Sequence, residues 1–189
     1  MLNLNKTLEY VICFEVILIS TFIPVYIFSP SPSNIFEISS LPLNYQIPLM
    51  IYITILFSER IVIRSFLMYL ITGLFFLPVF FDGGYLEYLL TPNFGYLLGI
   101  FPLIKIISFL KKTKSNSLLI VLKFGFLSLL SMHIIGIIYL SFQSLLIGEI
   151  YLIPYYIGRY TLGKLPFQTL MLFPLFLIIR FKSIINSNE

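Results

Sequence analysis

An all-α membrane protein that crosses the bilayer six times is predicted by three features: an apolar excess, its division into runs by turn residues, and the one-sided placement of basic residues between those runs. Of 189 residues, 59% are hydrophobic and only 11% are charged, with a mean hydropathy of +1.00. Soluble domains carry about 25% charged residues, so this chain has too few to cover a water-facing surface. At about 20 residues per helix, the apolar residues suffice for five or six spans in a single integral membrane domain.

The first span is placed at 10–28, where the run from Tyr10 to Phe28 stops at Ser29-Pro30-Ser31-Pro32-Ser33. The run from Ile47 to Phe57 is too short to cross about 30 Å of hydrocarbon. The second span is therefore placed at 42–57, either borrowing the residues from Leu41 onward or shielded by protein. The third, 61–81, ends at Asp82-Gly83-Gly84, a turn signal. The fourth, 94–110, follows Thr91-Pro92-Asn93 and ends in Lys111, Lys112 and Lys114. The fifth covers 118–142, and after a mixed stretch the sixth covers 165–181, with Arg180 and Lys182 at its end. The first run is too long for a cleaved signal peptide, contains Glu15 and lacks a small-residue cleavage site.

Basic residues of short loops stay on the cytoplasmic side. With the N-terminus inside, Lys6, Arg60, Arg64, Lys111, Lys112, Lys114, Arg180 and Lys182 fall inside, and only Arg159 and Lys164 fall in outer loops. The outer side collects Glu37, Asp82, Glu87 and Glu149. Six spans with both termini cytoplasmic in the plasma membrane follow. The net charge of +4 and pI near 9.1 thus reflect scattered inner-loop residues, which excludes a nucleic-acid partner. No inverted repeat of the kind found in secondary transporters is visible.

The acids are dispersed, and neither a G-x-S-x-G elbow nor a phosphate-cradling loop occurs. No enzyme and no cofactor are expected, and energised transport would need an ATPase on another chain. The single cysteine, Cys13, and the single histidine, His133, are too few for a metal site. His133, near the middle of the fifth span, reads as an interhelical hydrogen-bonding residue rather than a proton relay. Glu15, Lys105 and Lys123 lie near helix ends, where snorkelling accounts for them.

Polar residues, glycines and aromatics cluster in the outer loops, at Asp82-Gly83-Gly84-Tyr85 and Pro92-Asn93-Phe94-Gly95-Tyr96. Glycines permit close backbone approach, and aromatic rings give flat apolar walls with a polar tip. Such material suits a small-molecule pocket. The competing reading makes Tyr85, Tyr88 and Tyr96 an interfacial belt and the glycines the closure of a tight loop. Gly95-Tyr-Leu-Leu-Gly99 is a small-xxx-small pattern that lets a neighbouring helix come close, and packing is the role expected for Gly99. Gln46, at the outer mouth of the second span, either faces water or offers a donor and an acceptor to a ligand.

The loops resemble the BioY family, the biotin-specific substrate-binding (S) components of energy-coupling factor (ECF) transporters. Pro42-Leu-Asn-Tyr-Gln46 is similar to the family's P-I-T-x-Q segment. Tyr69-Leu-Ile-Thr-Gly73 with Leu77-Pro78-Val79-Phe80 is similar to Y-L-x-x-G-x-x-G-L-P-V-F, and Gly83-Gly84 stands where the family has its glycine-rich loop. Pro92-Asn-Phe-Gly95-Tyr96-Leu-Leu-Gly99 resembles P-T-x-G-Y-L-x-G-F, and Gly163-Lys-Leu-Pro166-Phe167 resembles the G-x-x-P-F that opens the last span. Together these cover about residues 42–175.

The resemblance implies a six-helix S component that binds biotin from outside and docks on a coupling protein with two cytoplasmic ATPases. Gln46, Gly84, Tyr85, Asn93 and Tyr96 are then the expected substrate-binding residues, with the loop from Asp82 to Asn93 as a lid and the Lys111 to Lys114 loop facing the ATPases. The sequence departs from the family in two places. The family's G-D-x-x-K after P-F, whose Asp and Lys contact substrate, is replaced so that Met171 and Pro174 stand in for the charged pair. The A-x-x-x-A pattern of the first helix is also absent, for the chain has no alanine. Arg159 and Lys164 are the expected substitute cations, and Gln168 the expected ureido partner. The alternatives are a non-transporting scaffold that kept the helices, an S component for another small molecule, or a free-standing carrier.

Overall fold

Helix-forming apolar runs, glycines at crossing points and prolines at breaks together produce a helical bundle. The computed structural model describes residues 4–29, 37–81, 83–113, 117–174, 176 and 177. Asp82, Lys114, Arg180 and Lys182, which the sequence singled out, lie outside the described residues. Six helical units run in order: α1 (Leu4–Phe22), α2 (Gln46–Leu56), α3 (Glu59–Phe75), the pair α4 (Pro92–Leu98) and α5 (Ile100–Lys112), α6 (Leu118–Ile147), and the broken unit α7 (Ile153–Ile157) and α8 (Leu165–Leu170). Among the described residues, two helical stretches, Pro92–Lys112 and Leu118–Ile147, are long and apolar enough to cross a membrane.

The first span differs from its expected 10–28. Its helix starts earlier and ends at Phe22, and the rest of the apolar run becomes strand β1 (Pro24–Ser29), paired antiparallel with β2 (Glu37–Asn44). Pro24 cannot continue the hydrogen bonding of α1, and Val25, Tyr26, Ile27 and Phe28 are β-branched or aromatic residues that suit a strand. Apolar content alone does not distinguish the two states. The register slips between Pro24 and Val25, so that Pro24 faces Asn44 while Val25 faces Leu41. At the base of this hairpin Asn44 Nδ2 donates to Thr21 O (3.2 Å), which ties β2 to the end of α1.

The second unit is α2 alone, eleven residues or about 16 Å at 1.5 Å per residue. It tolerates that length by being enclosed. Ile47, Met50, Ile51, Ile53 and Ile55 are all buried, and α2 packs on α5, α1 and α3. Expected as 61–81, the third span is helical only to Phe75; Leu77-Pro78-Val79-Phe80 then runs back beneath it. Gly73 leaves the space that the Phe80 ring fills, since a Cβ there would stand 2.2 Å from it. The Tyr69 and Phe80 rings meet edge-on at 5.3 Å. The fourth span, expected at 94–110, is broken at Gly99 into α4 and α5, where Pro102 lacks the N–H that would bond back to Leu98. The fifth runs beyond 142 to Ile147 and stops at Gly148, whose φ of 82° is the left-handed conformation typical of a helix C-cap. Of the sixth, expected at 165–181, helix α8 takes Leu165–Leu170. The mixed stretch before it is α7 followed by a π-helical turn, Gly158–Leu162.

Helices α4 and α6 approach closely, because glycines face the contact from both sides. A Cβ on Gly95 would lie 2.4 Å from Tyr139 Cβ, one on Gly99 would lie 2.5 Å from Met132 O, and one on Gly136 would lie 2.5 Å from the Tyr96 ring. Above this crossing, the Tyr139 hydroxyl donates to Leu89 O and Gln143 Nε2 donates to Leu90 O, which pins the 3-10 turn Leu86–Leu90 to α6. At the opposite end Lys111 Nζ donates to Phe57 O (2.7 Å) and Arg64 Nη1 to Tyr10 OH (3.0 Å). Basic residues near the start of α1, the start of α3 and the end of α5 therefore share one end of the bundle.

Gly99→Ala forces backbone apart, because the new methyl meets the Met132 carbonyl and Cα. It is expected to destabilise the protein by about 1–3 kcal/mol. Gly158, whose Cβ would meet nothing within 4 Å, serves as the control. Gly158→Ala is expected to be neutral or to stabilise by up to about 1 kcal/mol. Thermal unfolding of the detergent-purified variants measures both.

Candidate functional site

A cavity opens at the end of the bundle opposite the basic cluster, where the base of the hairpin, the first turns of α2 and α4, the middle of α6 and the segment from Tyr160 to Gln168 converge. It is lined by Leu43, Asn44, Gln46, Ile47, Phe81, Tyr88, Asn93, Tyr96, Leu97, Met132, His133, Tyr160, Lys164, Phe167 and Gln168. Its volume is about 50 Å³, room for a few water molecules at roughly 10–15 Å³ each but below the about 300–1,000 Å³ of small-molecule sites.

Helix starts put the polar groups here. Asn44 precedes α2, and its Oδ1 accepts from the Gln46 backbone N–H (3.4 Å), one of the donors a helix leaves without an internal partner. Asn93 stands in the first turn of α4 behind Pro92, which suits a first helical position because its missing N–H would be unpaired there. One turn later the Tyr96 ring lies on α6 over Gly136. Its hydroxyl shares a 2.8 Å hydrogen bond with Thr161 Oγ1, and its ring meets His133 edge-on at 5.6 Å. His133 Nε2 lies 2.9 Å from Gln168 Oε1. An amide oxygen only accepts, so Nε2 carries the proton, and in the uncharged ring Nδ1 then presents a lone pair.

Two polar atoms here are left over. Gln46 is 5% exposed and His133 is 1% exposed, and neither Gln46 Nε2 nor His133 Nδ1 has a hydrogen-bond partner among the described residues. Leaving a buried donor or acceptor unmade costs about 1–3 kcal/mol. Such groups in one cavity are what a ligand with the matching acceptor and donor would satisfy. Lys164 supplies the positive charge, with Nζ 5.0 Å from the Tyr160 ring centroid and 5.7 Å from that of Phe81. No carboxylate is among the described lining residues. The electrostatic character is a single cation beside neutral donors and acceptors.

The structure brings Gln46, Asn93, Tyr96, Lys164 and Gln168 to the lining and leaves Gly84, Tyr85 and Arg159 off it. A Cβ on Gly84 would lie 2.3 Å from Pro78 Cα, so this glycine is required by the loop's own packing. Tyr85 has a φ of 61°, strained for a side-chain-bearing residue by about 1–3 kcal/mol. Its N–H donates to Gly73 O (2.7 Å) and its side chain is exposed. Both residues anchor the loop on α3. Arg159 is directed to the outer surface, where its guanidinium carbon lies 5.5 Å from the Tyr160 ring and Nη1 donates to Tyr155 OH (3.2 Å). Met171 and Pro174 are also off the lining, and Met171 O accepts from Tyr52 OH (2.6 Å).

Sequence reasoning did not single out Asn44, Tyr160 or Phe167. Signals for two of them were present: Asn44 lies inside the Pro42–Gln46 segment, and Tyr160 stands four residues before Lys164, within helical reach. His133 was read as an interhelical hydrogen-bonding residue, and its bond to Gln168 agrees. Its place on the cavity wall depends on how α6 turns toward α4 and α8.

Comparison with known proteins shows the same architecture elsewhere. A solved structure described as the S-component for biotin from an ECF-type ABC transporter matches with a TM-score of 0.63 and 20% identity, covering 97% of this chain and 95% of that one. No curated protein matches the chain. The family model that does match is BioY, over residues 5–174. By this match over most of its length, the chain belongs to the BioY family.

Proposed function

We propose that this chain is a substrate-binding S component that takes biotin from the outer face of the plasma membrane and is energised by an ECF coupling protein with its ATPase subunits. Membership of the BioY family supports the class. The observation that carries the ligand assignment is the cavity's inventory: one unpartnered buried donor, one unpartnered buried acceptor and one cation. Biotin carries the complement, a neutral ureido ring and an ionised carboxylate on an apolar tail, and Ile47, Leu97, Met132 and Phe167 supply apolar wall.

In this reading the chain is one integral membrane domain with both termini cytoplasmic and its apolar outer surface in lipid. Arg60, Arg64, Lys111 and Lys112 face the cytoplasm, on the side where ATP is hydrolysed by partner chains. The chain itself performs no bond chemistry. Residues 83–93 form the lid. Because the cavity is small, the Lys164 side chain moves for biotin to bind, and the carboxylate then takes the place of the aromatic faces beside Lys164. An ammonium–carboxylate hydrogen bond contributes about 1.5–3 kcal/mol.

Labelled biotin is expected to bind the purified full-length chain with a dissociation constant below about 1 μM. Weaker binding would point to a different ligand or to a scaffold that lost its site. Lys164→Ala should weaken binding by about tenfold or more, while Arg159→Ala, off the lining, should leave it nearly unchanged. In proteoliposomes, biotin accumulation is expected only when a coupling module and ATP are included; flux from the chain alone would identify a free-standing carrier.

A further inference from the structure

The sequence made Gln168 the ureido partner, but its side-chain oxygen is already engaged by His133 Nε2 at 2.9 Å. What that bond leaves over is Nδ1 on the other side of the imidazole, buried and without a partner among the described residues. Gln46 Nε2, from the start of α2, is the second buried polar atom of the same cavity in that condition. One accepts and the other donates, which is the pair that a cyclic urea engages through an N–H and its C=O. Lys164 sits among the aromatic rings of Phe81 and Tyr160, and its charge suits the carboxylate.

We propose that His133 Nδ1 accepts a ureido N–H and Gln46 Nε2 donates to the ureido carbonyl, with Gln168 acting through His133 as a positioning residue. This rests on the biotin reading above and adds the orientation of the ligand: ureido ring toward α6 and α2, carboxylate toward Lys164. The Gln168 bond holds the ring in the tautomer with a lone pair at Nδ1, and Tyr96, packed over Gly136 and against the ring edge, holds its plane.

The test compares biotin with an analogue methylated at both ureido nitrogens, using the full-length purified chain and two substitutions that differ in where they keep a polar atom. The wild-type chain is expected to prefer biotin by about tenfold or more. In His133→Asn the side-chain oxygen stands near the position of Nδ1, so the preference is retained. In His133→Gln the polar end stands near Nε2 instead, so biotin binding falls toward that of the analogue and the preference disappears. A purely structural role for His133 would weaken both probes together and leave their ratio unchanged, and that result overturns the assignment. Retention of the full preference by His133→Gln does the same. If the wild-type chain binds no biotin, the functional reading itself fails and this assignment falls with it; biotin binding with a ratio indifferent to His133 overturns the assignment alone.

Discussion

The approach of α4 to α6 at Gly95, Gly99 and Gly136 is the constraint from which the rest of the cavity follows. The glycines put no side chain of their own between the helices, so their backbone meets a ring or backbone of the other helix directly. Between apolar helices in lipid there is no hydrophobic drive to associate, so close van der Waals packing at small residues has to hold them. That packing fixes Tyr96 on α6, and Tyr96 in turn touches His133, Tyr160 and Thr161. A single crossing thus sets the position of residues from three separate stretches of chain.

The second dependence is polar. Inside an apolar bundle each hydroxyl or amide that lacks a partner is costly, and most are paired locally. Ser20, Thr21, Thr54 and Ser128 donate to backbone carbonyls within their own helices. The hydroxyl of Tyr69 joins α1 to the segment beneath α3 through Thr21 and Val79. Against that background the unpaired atoms of Gln46 and His133 stand out because both belong to one cavity. Each side chain also has a structural partner, Gln168 for His133 and Tyr69 for Gln46, and it is the remaining atom of each that is left over.

The aromatic residues do two kinds of work. Tyr69, Phe80, Tyr88, Phe94 and Tyr139 form a chain of ring contacts leading from α3 through the loop to α6, which makes the cavity's roof part of the core. Tyr85, by contrast, is exposed, and Tyr160 lines the cavity beside Lys164. Of the three tyrosines weighed as pocket wall or belt, Tyr88 and Tyr96 line the cavity and Tyr85 does not.

Much of the architecture was legible in the sequence because apolar runs, turn residues and basic loops are local signals that a bilayer forces into the chain. The helical class, the number of units and the packing role of Gly95 and Gly99 follow from neighbours a few residues apart. Tertiary structure alone decided that the end of the first apolar run is a strand, since Val25–Phe28 suits either state and only β2 supplies its partner. It also decided that α2 is enclosed, that Arg159 turns outward while Lys164 faces the cavity, and that Gln168 is occupied by His133. Those outcomes depend on pairings between separate elements, such as β1 with β2 and His133 with Gln168, 35 positions apart, or on the facing of a broken helix. Periodicity says which residues share a face of one helix, but what that face meets is settled only when the helices pack.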